Sequence, residues 1–511
     1  MGLGRFFFEK ADEFADRICT IDANFDVKET YASLKTRAIR TALALRKRGI
    51  KQGDIVMICS NNNLNNIVPF IAALYLGAKV ASIDPSLSPL DCQHCIKIVP
   101  PTVAFVQDES VYMVEKSLKE TGNGAEIIVL GQSFEHATLE SFLHPTEEET
   151  TFRPVDVDVK DTAIIYFSSG TTGMPKGICC THEGLYLKQK TVLDLDFVNA
   201  DVVFHFTSLY WISAAICLIM TFIKGGCRVL TTDGTPERAL QIFERYGVTF
   251  SFMAPIFALK LDSVPNDKYD LSSLYSLCLG GTPLILEHMQ RIRKFFKDTK
   301  VQLCYGMTEI QGYATCFDFK DGDLYLMKDG SSGKTTPDTD IKIVDIETRK
   351  LLPPNKRGEI CIKTPYLCAG YYNQDITDNI DEEGYYKTGD VGYYDDDECI
   401  YVVDRIKEMF KYQSWHIVPT FLEQILMEHP DIQESVVFGI PHDIDGDHPA
   451  ACVVLKEGSS ATVDELHEFY NARVADRQKL RGGIKLVKSI PKTPSNKFLR
   501  RKAREMFLNM Q

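Results

Sequence analysis

Apolar residues recur at helical spacing from Thr30 to Arg48, where Leu34, Ala38, Ile39, Leu43 and Leu45 share one face and Gly49 stops the run. Ile55 to Cys59 is a short unbroken apolar run and predicts a strand; Leu64 to Leu76, closed by Gly77, predicts a second helix. Val80 to Ile83, Val103 to Val106 and Ile127 to Leu130 continue as strands with helical stretches between them. Strands that alternate with helices imply a parallel sheet covered on both faces, hence a first α/β lobe. The acidic stretch Pro145 to Thr151 interrupts this rhythm and predicts an exposed link.

The alternation then resumes. Strands are predicted at Val202 to Phe206, Arg228 to Thr231, Thr249 to Met253, Ser276 to Leu279 and Val301 to Tyr305, with helices running through Leu218, Phe243 and Phe296. A second α/β lobe follows, and ligands in such sheets sit beyond the carboxyl ends of the strands. Asp340 to Val344 and Gly358 to Lys363 change to strands with short turns, a smaller β-rich subdomain. Near the end, Thr462 to Glu465 has the form of a capping box opening a helix, and Ile484 to Ile490 predicts a strand.

Composition narrows the class. A chain of 511 residues exceeds one ordinary core, and 44% hydrophobic with 25% charged residues is a globular balance. The net charge of −13 argues against nucleic acid as a partner. Fifteen cysteines, scattered and odd in number, predict reduced buried thiols and an intracellular, cytoplasmic setting. The segment from Met1 to Phe8 meets Glu9 and Lys10 too early for a signal peptide, and Leu209 to Ile223 falls short of the roughly 18–20 apolar residues of a membrane span. The terminal Leu508 to Gln511 lacks a peroxisomal address of the Ser-Lys-Leu type.

Candidate chemistry concentrates in loops. The apolar strand ending at Phe167 empties into Ser168, Ser169, Gly170, Thr171, Thr172, Gly173, Met174, Pro175 and Lys176. Glycines let backbone amides approach an anion, hydroxyls add short donors and the lysine adds charge, so the loop suits polyphosphate. Pro175 stands where a Walker A loop requires glycine, and the residues after Lys176 predict a second strand rather than a helix. Further motifs are Leu279-Gly280-Gly281-Thr282-Pro283, whose glycines admit a flat group, Tyr305-Gly306-Met307-Thr308-Glu309, Tyr386 to Asp390, Asp404 to Lys407, Phe410 to Pro419 and Pro491 to Arg501.

Taken in this order, these motifs resemble those of the adenylate-forming superfamily: acyl-CoA synthetases, 4-coumarate:CoA ligases, beetle luciferases and peptide-synthetase adenylation domains. The resemblance implies an α/β fold with a large N-terminal domain over 1–403, made of two α/β lobes and a β-rich subdomain, then a small mobile α+β domain over 404–511 hinged near Asp404. It also implies ATP, Mg²⁺ and coenzyme A as reactants. The Ser168 to Lys176 loop would hold phosphates, Tyr305 would stack on adenine, Thr308 would touch phosphate, Glu309 would hold Mg²⁺, and Asp390 and Arg405 would meet the ribose. Lys497 falls on the family's catalytic lysine for adenylation, and Lys411 lies in the segment serving thioester formation. Lys411 and Lys497 would take turns as the small domain rotates.

Ser414, Phe421 and Asn496 depart from the usual glycine, glutamate and glycine. The first two bear on the use of CoA; asparagine tolerates the backbone glycine would adopt. The resemblance puts the acyl pocket beside Trp211, Ile212, Gly280, Gly281, Cys304, Gly306 and Tyr313. The absence of a histidine around Ile212 favours an aliphatic acid, and Cys304 with Tyr313 shortens the cavity toward medium chain length. The expected activity is therefore an AMP-forming acid:CoA ligase on a medium-chain fatty acid, with peroxisomal residence possible by family. The alternatives are a luciferase-like adenylating oxygenase, a 4-coumarate-type aromatic ligase and a non-catalytic relative that binds nucleotide or lipid.

Overall fold

The structure is a computed structural model that describes the chain except residues 168–174, 266–267, 282–283, 285, 413–414, 443–444, 475, 494–496 and 511; for 411, 415, 416 and 477 it describes the backbone alone. The chain divides into two compact units, Met1–Asp340 with Ile362–Tyr386, and Ile341–Cys361 with Lys387–Gln511.

Among the described residues of the first unit, two sheets of seven strands dominate. One runs Ala137–Thr138, Glu126–Val129, Val103–Val106, Ile55–Cys59, Lys79–Ile83, Thr162–Phe167, Gly177–Thr181. All its pairings are parallel except the last, an antiparallel hairpin. Ile55–Cys59 lies at its centre and is buried at every position, which is why it reads as an unbroken apolar run. The helix Ile67–Tyr75 beside it is buried on all sides.

The second sheet runs Lys300–Leu303, Ser276–Leu279, Phe250–Met253, Val202–His205, Cys227–Leu230, Ile18–Asp22, Val27–Thr30. Here the order of lobes expected from the sequence changes. Ile18–Asp22 pairs in parallel with Cys227–Leu230, Thr20 facing Arg228, so the start of the chain completes the second sheet. Thr162–Phe167 and Gly177–Thr181, which follow the acidic stretch, return to the first sheet by pairing with Lys79–Ile83. Apolar periodicity reports which face of a strand is buried and carries no information about which strand lies beside it.

The acidic stretch is exposed at most positions, as expected, but it is tied down rather than free. Glu147–Glu149 is a 3₁₀ turn closed by a capping box with Thr146, and Glu149 pairs with Arg40 at 2.9 Å. Arg40 lies on the helix Tyr31–Lys47, whose N-cap Thr30 accepts from the Ser33 amide. The apolar segment Ile212–Lys224 is a core helix ended by Gly225 at φ 68°. Among the described residues no helix is long and apolar enough to cross a membrane. All fifteen cysteines are free and buried.

A helix at Leu3–Glu13 was not foreseen, because three successive phenylalanines hide its periodicity. Phe6 and Phe7 enter the core, and Phe7 meets Phe222 edge-on at 4.8 Å.

In the second unit, Asp340–Val344, Gly358–Lys363, Tyr386–Tyr394 and Ile400–Arg405 form the expected β-rich sheet, nearly all of it within this unit. A further sheet joins Trp415–Ile417, Phe410–Tyr412, Gly446–Leu455 and Ile432–His442, with Gly483–Leu486 parallel to Gly446–Leu455. That last strand is shorter than Ile484 to Ile490. Pro419–Met427 begins with proline and buries Leu422, Ile425 and Leu426, and Thr462 with Glu465 forms the anticipated capping box.

Gly4 gives a direct test of the N-terminal packing. A Cβ there would lie 2.1 Å from the Leu74 carbonyl oxygen, part of another helix. Gly4→Val should cost about 1–3 kcal/mol, the usual range for forced overpacking, read from the urea midpoint of unfolding. An unchanged midpoint would mean that the two helices are not held at this spacing.

Candidate active site

The hairpin Thr162–Phe167 and Gly177–Thr181 pairs Phe167 with Gly177, so the Ser/Thr/Gly loop is its connection, and the second element is a strand as the sequence indicates. Ser168, Ser169, Gly170, Thr171, Thr172 and Gly173 lie outside the described residues, as do Thr282, Ser414, Asn496 and the side chain of Lys411. Lys176 is described, its Nζ 4.8 Å from the centre of the Tyr371 ring. Gly177 has to be small: a Cβ there would stand 2.8 Å from Val99, with Ile165 and Tyr372 next nearest.

Tyr305 does not continue the strand before it. The strand of the second sheet ends at Leu303, and Tyr305–Met307 starts a separate three-stranded sheet with Gly312–Cys316 and Lys334–Thr335. Cys304 is the corner, its amide bound to Leu279 O at 2.8 Å. Gly306 pairs with Tyr313, and a Cβ on it would meet Gly312 O at 2.3 Å. Thr308–Ile310 is then a 3₁₀ turn leading into Gln311, which has φ 59°.

Gln311 is fully buried and fixes this turn. Its Oε1 accepts from the Thr181 amide at 2.8 Å, its Nε2 donates to Tyr366 O at 3.1 Å, and its own carbonyl accepts from Gln189 Nε2 at 2.9 Å. Gly184 makes room, since a Cβ there would lie 2.1 Å from Gln311 Nε2. The Thr308–Glu309 turn is thereby locked to the hairpin that carries the loop.

Glu309 is held from a second side. Its carbonyl accepts from the Cys368 amide at 2.7 Å, and the strap around 366–372 pairs with the hairpin strand through Cys179, Ile178 and Gly177. This strap sets the Tyr371 hydroxyl 3.4 Å from Glu309 Oε1 and 3.2 Å from the Tyr386 hydroxyl. Burial, then the Glu309 charge, pushes Tyr371 up to about 12 and Tyr386 higher still. Both stay protonated donors. Tyr371 is thus the meeting point of Glu309 and Lys176, and sequence reasoning missed it. The only signal was an aromatic pair after Gly370, and the long-range pairing that gives it meaning is not local.

The structure brings together part of the expected acyl pocket. Gly280 faces Cys304, where a Cβ would be 3.0 Å from Sγ, with Phe252 beside it. Tyr313 is buried with its ring edge-on to Phe197 at 5.8 Å and to Phe252 at 6.2 Å. Its hydroxyl has no hydrogen-bond partner among the described residues. Gly281 is exposed with φ 91°. Trp211 packs beneath the first sheet with Tyr210, 5.0 Å between rings, and Ile212 packs in the larger core that also takes Met307. A histidine does lie close in sequence: His205 Nδ1 meets the Thr207 hydroxyl at 3.2 Å, which in turn accepts from Ser213 at 3.0 Å. Burial, then the nearby Arg228, lowers His205 to about 3, so it is neutral.

The second unit makes its own constellation. Asp390 and Arg405 are cross-strand partners and pair at 3.0 Å, with Asp390 buried. Gly389, at φ 71°, donates its amide to Glu359, and Thr388 accepts from the Asp390 amide. Asp404 accepts from the Arg405 and Thr420 amides and so caps Pro419–Met427. Lys497 and Thr493 exchange hydrogen bonds, the Thr493 amide donating to the Lys497 carbonyl at 2.8 Å and the Lys497 amide to the Thr493 hydroxyl at 3.0 Å. Burial and then repulsion from Arg405 lower the Lys497 amine to about 8, and Asp390 opposes the shift. Behind it, Arg500 binds Glu408 at 2.9 Å and the buried Glu423. Lys411 occupies the centre of Phe410–Tyr412, opposite His416.

Glu309 also suits the metal expected of it. Mg²⁺ takes one or two carboxylates and completes its shell with water and substrate phosphates. A single carboxylate on a doubly anchored turn, approached by a hydroxyl at 3.4 Å, provides that.

Comparison with known proteins places these features. A family model described as AMP-binding enzyme matches residues 7–372, and one described as AMP-binding enzyme C-terminal domain matches 422–497. Luciferin 4-monooxygenase of Photinus pyralis is 31% identical over 96% of this chain and 91% of its own. The 4-coumarate--CoA ligase 2 of Nicotiana tabacum is 32% identical over 97% and 93%. Among solved structures, the luciferase-like enzyme from the nonluminescent mealworm Zophobas morio is 43% identical, with a TM-score of 0.77 over 80% of this chain and 96% of that one. ATP-bound MatB from Rhodopseudomonas palustris shares the fold, with a TM-score of 0.87 at 22% identity over 100% and 99%.

The charge on Lys497 is open to measurement. Its amine is protonated below about pH 8 and neutral above. Acetylation by a dilute anhydride, read at this residue by mass spectrometry, should show a midpoint near that pH. Arg405→Ala should raise the midpoint by removing repulsion, and Asp390→Asn should lower it. Movement in the opposite senses would mean that the lysine does not face this pair.

Proposed function

This chain belongs to the AMP-binding enzyme family, the adenylate-forming superfamily of acid ligases, and on that premise we propose that it activates a medium-chain fatty acid with ATP and transfers the acyl group to coenzyme A. A carboxylate oxygen attacks the α-phosphorus, the bond to pyrophosphate breaks, and an acyl-adenylate forms. The thiol of coenzyme A then attacks the acyl carbon and AMP leaves.

Negative charge gathers on the phosphoryl oxygens in the first step, so fixed positive groups matter most. The observation that carries the reading is the Thr308–Glu309 turn, locked by Gln311 and met through Tyr371 by Lys176. Thr308 offers a hydroxyl to phosphate and Lys176 a cation. Glu309 would hold Mg²⁺, which when bound neutralises phosphate charge. Asp390, oriented by Arg405, accepts from the ribose hydroxyls. Lys497, made less costly to neutralise by burial, donates to the oxygen that bridges to the leaving group. Residues 404–511 turn about Asp404 between the two steps, exchanging Lys497 for Lys411.

The choice of an aliphatic acid is supported by the aromatic packing of Phe197 and Phe252 around Tyr313, beside Gly280 and Cys304, and medium length by the bulk of Cys304 and Tyr313 there. A second reading, in which a luciferin adenylate is oxidised by O₂, is favoured by the likeness to the luciferin 4-monooxygenase of Photinus pyralis.

Pyrophosphate release across saturated acids from butyric to stearic, alongside cinnamic acids and luciferin, should peak at octanoic or decanoic acid and yield thioester only with coenzyme A. Faster turnover of cinnamic acids would give the aromatic reading, and sustained light from luciferin the oxygenase reading. No acid-stimulated AMP formation would overturn both.

The exchange of lysines has its own test. Lys497→Ala should lose roughly 10²–10³-fold in acyl-adenylate formation, the cost of one oxyanion donor, yet convert preformed adenylate to thioester almost normally. Lys411→Ala should do the reverse. Equal loss of both half-reactions in either variant would remove the rotation from the scheme.

A further inference from the structure

The hairpin of Ile432–His442 and Gly446–Leu455 ends in a group of side chains that the chemistry above does not use. His442 pairs with Gly446 and Ile440 with His448, so the two histidines are diagonal neighbours on one face. Gly446, at φ 84°, places no side chain opposite His442. The His448 ring fills that space and stacks on His442, 3.9 Å between centroids and 14° from parallel. Asp445 sits beneath both, its Oδ2 2.8 Å from His448 Nε2 and 3.5 Å from His442 Nδ1.

One ligand atom from each of the three lies within 4.8 Å of the others, and among the described residues no other group of three or more His, Cys, Asp or Glu does so. We infer that His442, Asp445 and His448 form a binding site for a late first-row divalent cation, with zinc the best match.

The donor set and spacing both argue for this class. Two imidazoles and one carboxylate suit zinc, cobalt, nickel or copper, whereas magnesium and calcium want oxygen alone. Tetrahedral zinc holds nitrogen and oxygen about 2.0–2.2 Å away, which puts ligand atoms about 3.3–3.5 Å apart. The two carboxylate–imidazole separations here, 2.8 and 3.5 Å, bracket that spacing, and because imidazole lone pairs lie in the ring plane the two stacked rings turn about their side-chain torsions to face one ion. The Asp445 amide donates to His442 Nδ1 at 3.3 Å, which identifies this nitrogen as the one carrying the lone pair. That contact is long enough for a cation to replace it. Three protein ligands leave a fourth position for water.

A cation here would tie the ends of two strands together. It would also brace the strand Phe410–Tyr412, because Tyr412 pairs with Gly446 and its ring lies 5.7 Å from His448. The cation above the other part of Tyr412, Arg481, is engaged by Asp476 at 2.6 Å and does not compete for Asp445.

The test is a titration of the full chain with Co²⁺ in chelator-treated buffer without phosphate or nucleotide. One Co²⁺ per chain should bind and produce visible d–d absorption of a low-symmetry N/O site. No near-ultraviolet thiolate band should appear, since every cysteine is buried. Zn²⁺ should displace it. His448→Ala and, separately, Asp445→Asn should weaken binding by more than the roughly 10–100-fold that loss of an outer-shell partner costs, and His442→Gln with His448→Gln should abolish it. His467→Gln, on the separate helix Val463–Asn471, should change nothing. The inference fails if the double variant still binds one ion, if a thiolate band appears, or if no saturable binding occurs in the native chain.

Discussion

A buried carboxamide governs the first unit. Gln311 occupies left-handed backbone, which few side chains adopt without cost, and spends both ends of its amide on main-chain groups from segments 130 and 55 residues away. A donor or acceptor left unmatched at such a site costs about 1–3 kcal/mol, so the three segments hold together or fail together. Gly184 and Gly306 are the concessions that permit it, each yielding the volume of one methyl group to a neighbouring polar atom. The acidic turn beside Gln311 inherits this rigidity, so the Glu309 main chain is fixed independently of any ligand.

The second unit solves a different electrostatic problem. Asp390, Arg405 and Lys497 place one anion and two cations close together, with Asp404 turned aside to cap a helix and Arg500 neutralised by Glu408 and Glu423. Arg405 pairs with Asp390 and at the same time loosens the proton on Lys497. A lysine that gives up its proton near neutrality costs less to bury than one that does not. This cluster carries a local excess of positive charge in a chain whose net charge is −13.

Much of this was legible in the sequence, though unevenly. The motifs ending in Glu309, Asp390 and Lys497 are contiguous, so their order carries the family resemblance from which their roles are expected, and the caps at Pro419 and Thr462 announce their helices. What stayed hidden was whatever depends on residues far apart. Tyr371 has no meaning until a strap lies along the hairpin, and Gln311 looks like any polar residue until its backbone turns left-handed. The exchange of strands between sheets is invisible for the same reason. Glu149 resembled a solvated linker because its partner, Arg40, belongs to a helix more than a hundred residues earlier. Trp211 and Ile212 are expected beside Tyr313 by resemblance, and each is partly buried against one of the two cores that cover the first sheet.

The placement of Ile18–Asp22 in the second sheet bears on how the protein is made. Thr20 is a neighbour of Arg228, 208 residues downstream. At a synthesis rate of about 5–20 residues per second, that strand waits on the order of 10–40 s for its partner to leave the ribosome. During this interval an apolar segment with an unsatisfied edge is exposed, and chaperone binding or mispairing competes for it. The early helices can settle on the first sheet meanwhile. Ile18–Asp22 finds its partner only once Cys227–Leu230 has emerged, and the second sheet is complete only after Lys300–Leu303 follows, which makes the emergence of Cys227–Leu230 a natural checkpoint in biogenesis.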